Sequence, residues 1–265
     1  MSNENEKTLK IRTDARGVRT ISLGRPEIHN AFDDSVIAEL SEAFADADQD
    51  SNVRVVVLAA EGKSFSAGAN LGWMKRMASY SYEENLSDAN ALADMLRRLN
   101  FMSKPTIARV QGAAFGGAVG LVACCDMAVA SERASFCLSE VKIGLIPATI
   151  SPYVIAAMGQ RASRRYFLTA ERFKALEAKS LGLVSEVVAE EQLDESLNKL
   201  INALLSNSPQ AVAQAKTLVA DVAEREITSE LIANTSERIA AIRVSEEGQE
   251  GLTAFLEKRQ ANWIQ

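Results

Sequence analysis

Hydrophobic and polar positions follow two rhythms along the chain, and the change from one to the other marks its elements. VRVVVLAA, residues 53–60, is an almost unbroken apolar run, the pattern of a strand buried on both faces, and TIARVQG, residues 106–112, is read as a second such strand. Val36, Ile37, Leu40 and Phe44 recur at helical spacing, so a helix is predicted from Asp33, with Asp33 or Asp34 as its cap. A longer helical pattern runs from about Glu83 to Met102 and stops at Lys104-Pro105. At the start, LKIRTD and VRTISLG alternate as strands around the turn ARG and predict a hairpin. RPEIHNAFD and EGKSFSAGANLGWM are read as loops, GGAVGLVACCD as a helix opening at its glycines, and MAVAS as a third strand. Strand, glycine loop and helix recur at least twice, which predicts a layered α/β fold. From about Glu190 the pattern is helical, with Pro209 at a helix start. The organisation expected is a core over 1–190 and a C-terminal helical region over 191–265.

Composition and charge narrow the chemistry. With 265 residues and 47% hydrophobic content the chain has ample material for a core. A net charge of −6, with Lys and Arg scattered, excludes a nucleic-acid surface, which needs concentrated positive charge, but leaves room for a ligand carrying phosphates. MSNENEKTLK has no apolar signal core and no apolar stretch is long enough to span a membrane, so a cytoplasmic protein is expected. Cys124, Cys125 and Cys137 fit no metal spacing and are expected to be reduced core residues. No metal site is predicted.

Two loops carry the candidate chemistry. SFSAGANLG and AAFGGAVG each follow a buried strand and combine glycine with small residues. If both lie on one side of the sheet, each can offer a backbone N–H to a single oxygen, the second with the positive end of a helix behind it; two such donors make an oxyanion hole. Taken alone, either loop also reads as a tight strand-to-helix connection.

RPEIHNAFD, FSAGANL, KPTIARVQGAAFGGAVGL, CDMAVAS, ASFCLSEVKIGLIP and LTAERFKALEAKSLGLVSEVV resemble, in order, the successive motifs of the enoyl-CoA hydratase/isomerase (crotonase) family, over about residues 8–265. The resemblance implies a crotonase-like spiral of repeated ββα units with a C-terminal helical trimerisation region. It also implies an acyl-CoA thioester substrate, with coenzyme A as part of that substrate and no separate cofactor, and a homotrimer or dimer of trimers. The oxyanion donors carry over to the amides of Ala69 and Gly117, and the catalytic acid/base to Glu140 in LSEVKIG. The coenzyme A positions carry over to His29, Ala31, Ala67, Leu71, Phe255 and Lys258. His29, the only histidine, also reads as an ordinary surface residue, and Lys258 as a solvated helix face.

The sequence departs from the family pattern in one place. Straight-chain hydratases of the family carry two glutamates; here the position of the first is Gly120, which has no side chain to move a proton. Three readings stay open: Glu140 alone hydrates the double bond, Glu140 shuttles a proton between carbons as an isomerase, or the chain binds acyl-CoA without turnover. The segment after Glu140, IGLIPATISPYVIAAMGQRASRRYFLTAERF, is similar to the subgroup that hydrates methylglutaconyl-CoA and isohexenylglutaconyl-CoA. That similarity implies a branched, dicarboxylic 2-enoyl-CoA, whose distal carboxylate Thr149, Ser151 and Tyr153 would bind. Ser151-Pro152 reads equally well as a capped helix start.

Overall fold

The computed structural model describes residues 8–264. Leu9–Thr13 (β1) and Val18–Leu23 (β2) form the antiparallel hairpin expected from the sequence. Val55–Ala60 (β3), Thr106–Val110 (β4), Met127–Ser131 (β6) and Glu186–Val188 (β9) extend it in parallel, in the order β1-β2-β3-β4-β6-β9. A smaller sheet joins Ala113–Phe115 (β5), Ser135–Cys137 (β7) and Phe173–Lys174 (β8) in the order β5-β7-β8. The sequence reading did not separate β5, β7, β8 and β9. Each is two or three residues long, and its pairing comes from distant segments rather than from a local alternation.

The unbroken apolar run of β3 has a direct structural cause. Its residues alternate between faces, and both faces are covered. Val56, Leu58 and Ala60 enter the main core with Phe44 of Asp34–Gln49 (α1) and Leu96 and Leu99 of Tyr82–Asn100 (α3). Val55, Val57 and Ala59 enter a second cluster with Ile107, Val129 and, from Leu193–Leu205 (α7), Leu193, Leu197 and Ile201. The first helix of the C-terminal region therefore roofs the sheet. Burying a side chain of this size stabilises the fold by roughly 1.5–3 kcal/mol, so the three α7 residues contribute substantially to holding the helix on the sheet.

Caps fix the helix starts. The Asp33 carboxylate accepts the Val36 N–H at 3.1 Å, and α3 opens with a reciprocal capping box between Ser81 and Glu84. The segment read as loop around LGWM holds a short helix, Leu71–Met77 (α2), because the Asn70 side chain accepts the N–H groups of Gly72 and Trp73. Trp73 is buried, and its indole N–H donates to Asp88. The glycine helix spans Gly117–Cys124 (α4), and Ser151–Thr169 (α5) follows it with a break in helical geometry at Gly159.

Beyond α7, Pro209–Val222 (α8), Ser229–Val244 (α9) and Glu246–Glu257 (α10) pack on one another. Lys216 of α8 reaches back to the core, where its ammonium donates to Asp126 Oδ2 and the Lys104 carbonyl. Arg54 ties the tail to β3 by donating to the carbonyls of Leu205, Asn207 and Trp263. These helices leave Val219, Ile227, Ile232, Val244, Phe255 and Leu256 exposed. Cys124, Cys125 and Cys137 are free thiols, and burial pushes that of Cys124 well up, so it stays protonated. Among the described residues no helix is long and apolar enough to cross a membrane, and no cluster of His, Cys, Asp and Glu could hold a metal ion.

Candidate active site

The two glycine loops meet, as the oxyanion reading requires. Ser66 pairs in parallel with Ala114 of β5: its N–H donates to the Ala113 carbonyl and its carbonyl accepts the Phe115 N–H. Three residues on, Ala69 pairs with Phe32, and two residues beyond Phe115 the chain enters α4 at Gly117. The base of the first loop is locked by two buried amides. Gln111 donates to the carbonyls of Ala60, Gly62 and Ser64, and Asn30 donates to those of Glu61 and Ser64. A β-carbon on Gly112 would lie 1.9 Å from the Lys63 carbonyl oxygen, a measure of how closely the loop passes β5.

Each candidate donor follows a glycine whose φ suits few other residues: Gly68 at 105° before Ala69, and Gly116 at 56° before Gly117. The Ala69 N–H donates to no main-chain carbonyl among the described residues. Gly117 is the first residue of α4, so its N–H has no acceptor within the helix and lies at the positive end of the helix dipole. Two unengaged amides on adjoining loops are the groups that the oxyanion reading calls for.

Glu140 stands beside the glycine turn. The Gly116 N–H donates to the Cys137 carbonyl at 2.8 Å, which sets the end of β7 against the turn and brings the acid across three residues later. A β-carbon on Gly116 would fall 3.2 Å from Glu140 Oε1. The first glycine of the pair thus makes room for the acid, and the second presents its amide. Glu140 Oε2 is buried with no hydrogen-bond partner. Burial, only partly opposed by a hydrogen bond from its own backbone N–H, raises the Glu140 carboxyl above its ordinary range. A desolvated carboxyl with one oxygen unpaired has the raised proton affinity a general acid/base needs.

Gly120 lies one turn along the same face of α4 as Gly116 and Gly117. A β-carbon there would stand 2.3 Å from Ile150 Cγ2 and 2.8 Å from Ile150 Cβ. Ile150 is 2% exposed. It therefore fills the space in which a second acid would sit, and no side chain fits at position 120 while it is there.

Of the candidate coenzyme A residues, His29 and Ala67 are joined directly, and Ala31 and Leu71 flank the pair Phe32 and Asn70, whose main chains bond. The Ala67 N–H donates to the His29 carbonyl at 3.0 Å, the Ala31 carbonyl accepts from Arg25, and Leu71 is 75% exposed at the start of α2. His29 is exposed, with Nδ1 3.2 Å from the Ser64 hydroxyl. Phe255 and Lys258 lie at the end of α10, and no hydrogen bond or ion pair among the described residues joins either to the first loop. Of the residues after Glu140, Ser151 is not the cap: Ile150 holds that position and the Ser151 hydroxyl donates to the Ala148 carbonyl. Tyr153 is half-buried against the main core, and burial raises its phenol pKa, partly opposed by the positive charge of Arg97. Sequence reasoning missed Phe32, Asn30, Gln111 and Ile150. Asn30 and Phe32 lie inside the quoted motif RPEIHNAFD, whereas nothing local marks Ile150.

Comparison with known proteins agrees with this geometry. The family profile described as enoyl-CoA hydratase/isomerase matches residues 13–265. An enoyl-CoA hydratase structure from Shewanella pealeana superposes with a TM-score of 0.94 at 51% identity, covering 97% of this chain and 96% of that one. Pseudomonas aeruginosa AtuE superposes with a TM-score of 0.92 at 32% identity, covering 97% of this chain and 100% of that one. Enoyl-CoA hydratase domain-containing protein 3, mitochondrial, of Xenopus laevis is 31% identical over 255 residues, 96% of this chain and 86% of that protein.

Proposed function

The chain belongs to the enoyl-CoA hydratase/isomerase family and is an enzyme of that type, and we propose that it reversibly hydrates a branched, dicarboxylic 2-enoyl-CoA of the methylglutaconyl kind with Glu140 as its single acid/base. The observation that supports the single-acid reading is Ile150 packed where the β-carbon of a second acid at position 120 would stand. Glu140 takes a proton from water as the water oxygen bonds to the β-carbon. The double-bond electrons move to the α-carbon and onto the thioester oxygen, and the resulting enolate is held by the amides of Ala69 and Gly117. Glu140 then returns its proton to the α-carbon, so one water supplies both the hydroxyl and the hydrogen. Each amide donor of such a pair accounts for about 2.7–4 kcal/mol of barrier lowering.

His29, Ala31, Ala67 and Leu71 form the coenzyme A surface in this reading, with Phe255 and Lys258 contributing from the helical tail. Thr149 and Tyr153 receive the distal carboxylate, supported by the nearby positive charge of Arg97. The exposed apolar residues of α8 to α10 support self-association, which in this reading is a homotrimer or dimer of trimers, and the proposed location is the cytoplasm. The isomerase reading stands second because converting a 3-enoyl- to a 2-enoyl-CoA, by moving a proton from the α- to the γ-carbon, also needs only one carboxyl.

The test is a spectrophotometric screen of the wild type and Glu140→Gln on crotonyl-CoA, methylglutaconyl-CoA and a 3-enoyl-CoA, with incorporation of labelled oxygen from water followed by mass spectrometry. Turnover of methylglutaconyl-CoA with oxygen uptake, lost in Glu140→Gln, is expected. Reaction of the 3-enoyl substrate alone, without uptake, would make the enzyme an isomerase.

A further inference from the structure

We infer that Phe32 is the positioning residue for both oxyanion donors at once, its main chain holding the first and its ring the second. The inference rests on the reading of Ala69 and Gly117 as donors.

Phe32 donates its N–H to the Gly68 carbonyl at 2.8 Å and accepts the Asn70 N–H at 2.6 Å. One residue thus engages the peptide groups on either side of Ala69. In a parallel bridge of this kind the opposed residue turns its own N–H to the far side, so the pairing aims the Ala69 amide away from Phe32. The ring does the second task. Phe32 Cδ2 and Cε2 stand 3.9 and 4.0 Å from the place a β-carbon on Gly117 would take, and outside the local chain no other heavy atom comes within 4 Å of that point. Gly117 has no side chain, and the Phe32 ring bounds the space that one would fill, at the distance of an ordinary side-chain contact.

Phe32 is itself well fixed. Arg25 donates to the Ala31 carbonyl at 2.8 Å and to the Asp33 carboxylate at 2.7 Å, clamping both neighbours, and Asp33 caps α1. The side chain is 4% exposed. A rigid aromatic between two loops holds the spacing of their amides, and a displacement of 1 Å in such a site can cost about a hundredfold in rate.

Phe32→Leu and Phe32→Ala test this against Phe44→Leu, a buried aromatic truncation in α1 remote from the loops, with Phe32→Tyr as the conservative variant. Two readouts separate positioning from simple loss of stability: the split between kcat and KM, and the red shift of a conjugated chromophoric CoA thioester whose carbonyl is polarised by two donors. Phe32→Leu is expected to lower kcat by about tenfold or more, with KM within about threefold, and to diminish the red shift. Phe32→Tyr should retain it, and Phe44→Leu should match the loss of thermal stability without the spectral change. If Phe32→Ala does not fold, Phe32→Leu decides. An unchanged red shift and kcat in Phe32→Leu, or the same spectral loss in Phe44→Leu, overturns the inference. Because the chromophore reports binding without turnover, a wild type that shifts the dye but hydrates nothing refutes the proposed reaction and leaves this test intact.

Discussion

Replacing Gly120 by alanine adds one methyl group at the tightest place in the site. The new carbon would stand 2.3 Å from Ile150 Cγ2, more than an ångström inside a comfortable carbon–carbon contact of about 3.5 Å. Rotating Ile150 gives no relief, because its own Cβ would also lie only 2.8 Å away. Either α4 or the start of α5 must move, an overpacking that costs typically about 1–3 kcal/mol and occasionally more. Alanine gains about 1 kcal/mol over glycine inside a helix, which offsets part of this. With two carbons closer than 3 Å the cost belongs at the upper end of that range, about 3 kcal/mol, so the expected result for Gly120→Ala is a net loss of about 2 kcal/mol, or roughly 4–8 °C in Tm for a chain of this size. Ile150→Gly alone should lose about 2–5 kcal/mol through the cavity it leaves. The double variant should be more stable than the sum of the two singles by at least about 1 kcal/mol, since a glycine at 150 removes both clashing carbons. Denaturant unfolding with unchanged m-values measures all four corners of the cycle. Additive losses, or a Gly120→Ala variant as stable as the wild type, would show that Ile150 does not close the second-acid position.

Other substitutions probe the acid and its surroundings. Glu140→Gln should lower kcat/KM by about 10²–10⁴ while binding of the CoA thioester is kept. The wild-type acidic limb should lie above the ordinary carboxylate range, with hydration falling as pH drops through the raised pKa; a limb at an ordinary carboxylate value would refute the desolvated acid. The same shift fixes a stability trend. A carboxyl whose pKa is raised in the fold stabilises it below the unfolded value and loses that contribution as pH rises through the folded one. Thermal scans should therefore find Glu140→Gln more stable than the wild type at neutral pH, with the gap closing in acid. Gly116→Ala forces a side chain into φ 56° and to within 3.2 Å of the acid, a strain of about 1–3 kcal/mol, and kinetics should report at least a tenfold fall in kcat. Burial alone would raise the Asp33 carboxyl, but the Arg25 hydrogen bond and charge hold it below its ordinary value. Arg25→Ala should lose about 1–3 kcal/mol at neutral pH, and the deficit should shrink as pH falls through that lowered pKa, leaving the part due to the pH-independent hydrogen bond to the Ala31 carbonyl.

What the sequence made legible was local. The apolar run at 53–60 and the cap at Asp33 are decided by neighbouring residues, and the structure reproduces them, whereas the helix expected to reach Met102 before Pro105 ends at Asn100, with Phe101 as its C-cap. The convergence of the two glycine loops was readable as a possibility because each loop follows a buried strand. Its realisation depends on the bridges Ser66 to Ala114 and Phe32 to Ala69, which join residues far apart in the chain. Glu140 could be picked out by motif. Its burial could not, because that follows from β7 docking on the Gly116 turn. Gly120 read as a missing acid; only the packing reveals Ile150 as the group that took the space. The short strands β5, β7, β8 and β9 were invisible for the same reason, since two or three residues carry no period of their own.

Both proposed oxyanion donors are peptide groups, common to every residue but proline, and they are positioned by loops rather than supplied by side chains. Drift in the sequence can therefore reshape the surrounding chamber, admitting longer or more polar acyl tails, while the electrophile-activating frame survives. The proton carrier has no such protection. One altered codon at 140 would leave a protein that still grips and polarises its thioester but releases it unchanged, a ready route from catalyst to sensor or sequestering agent.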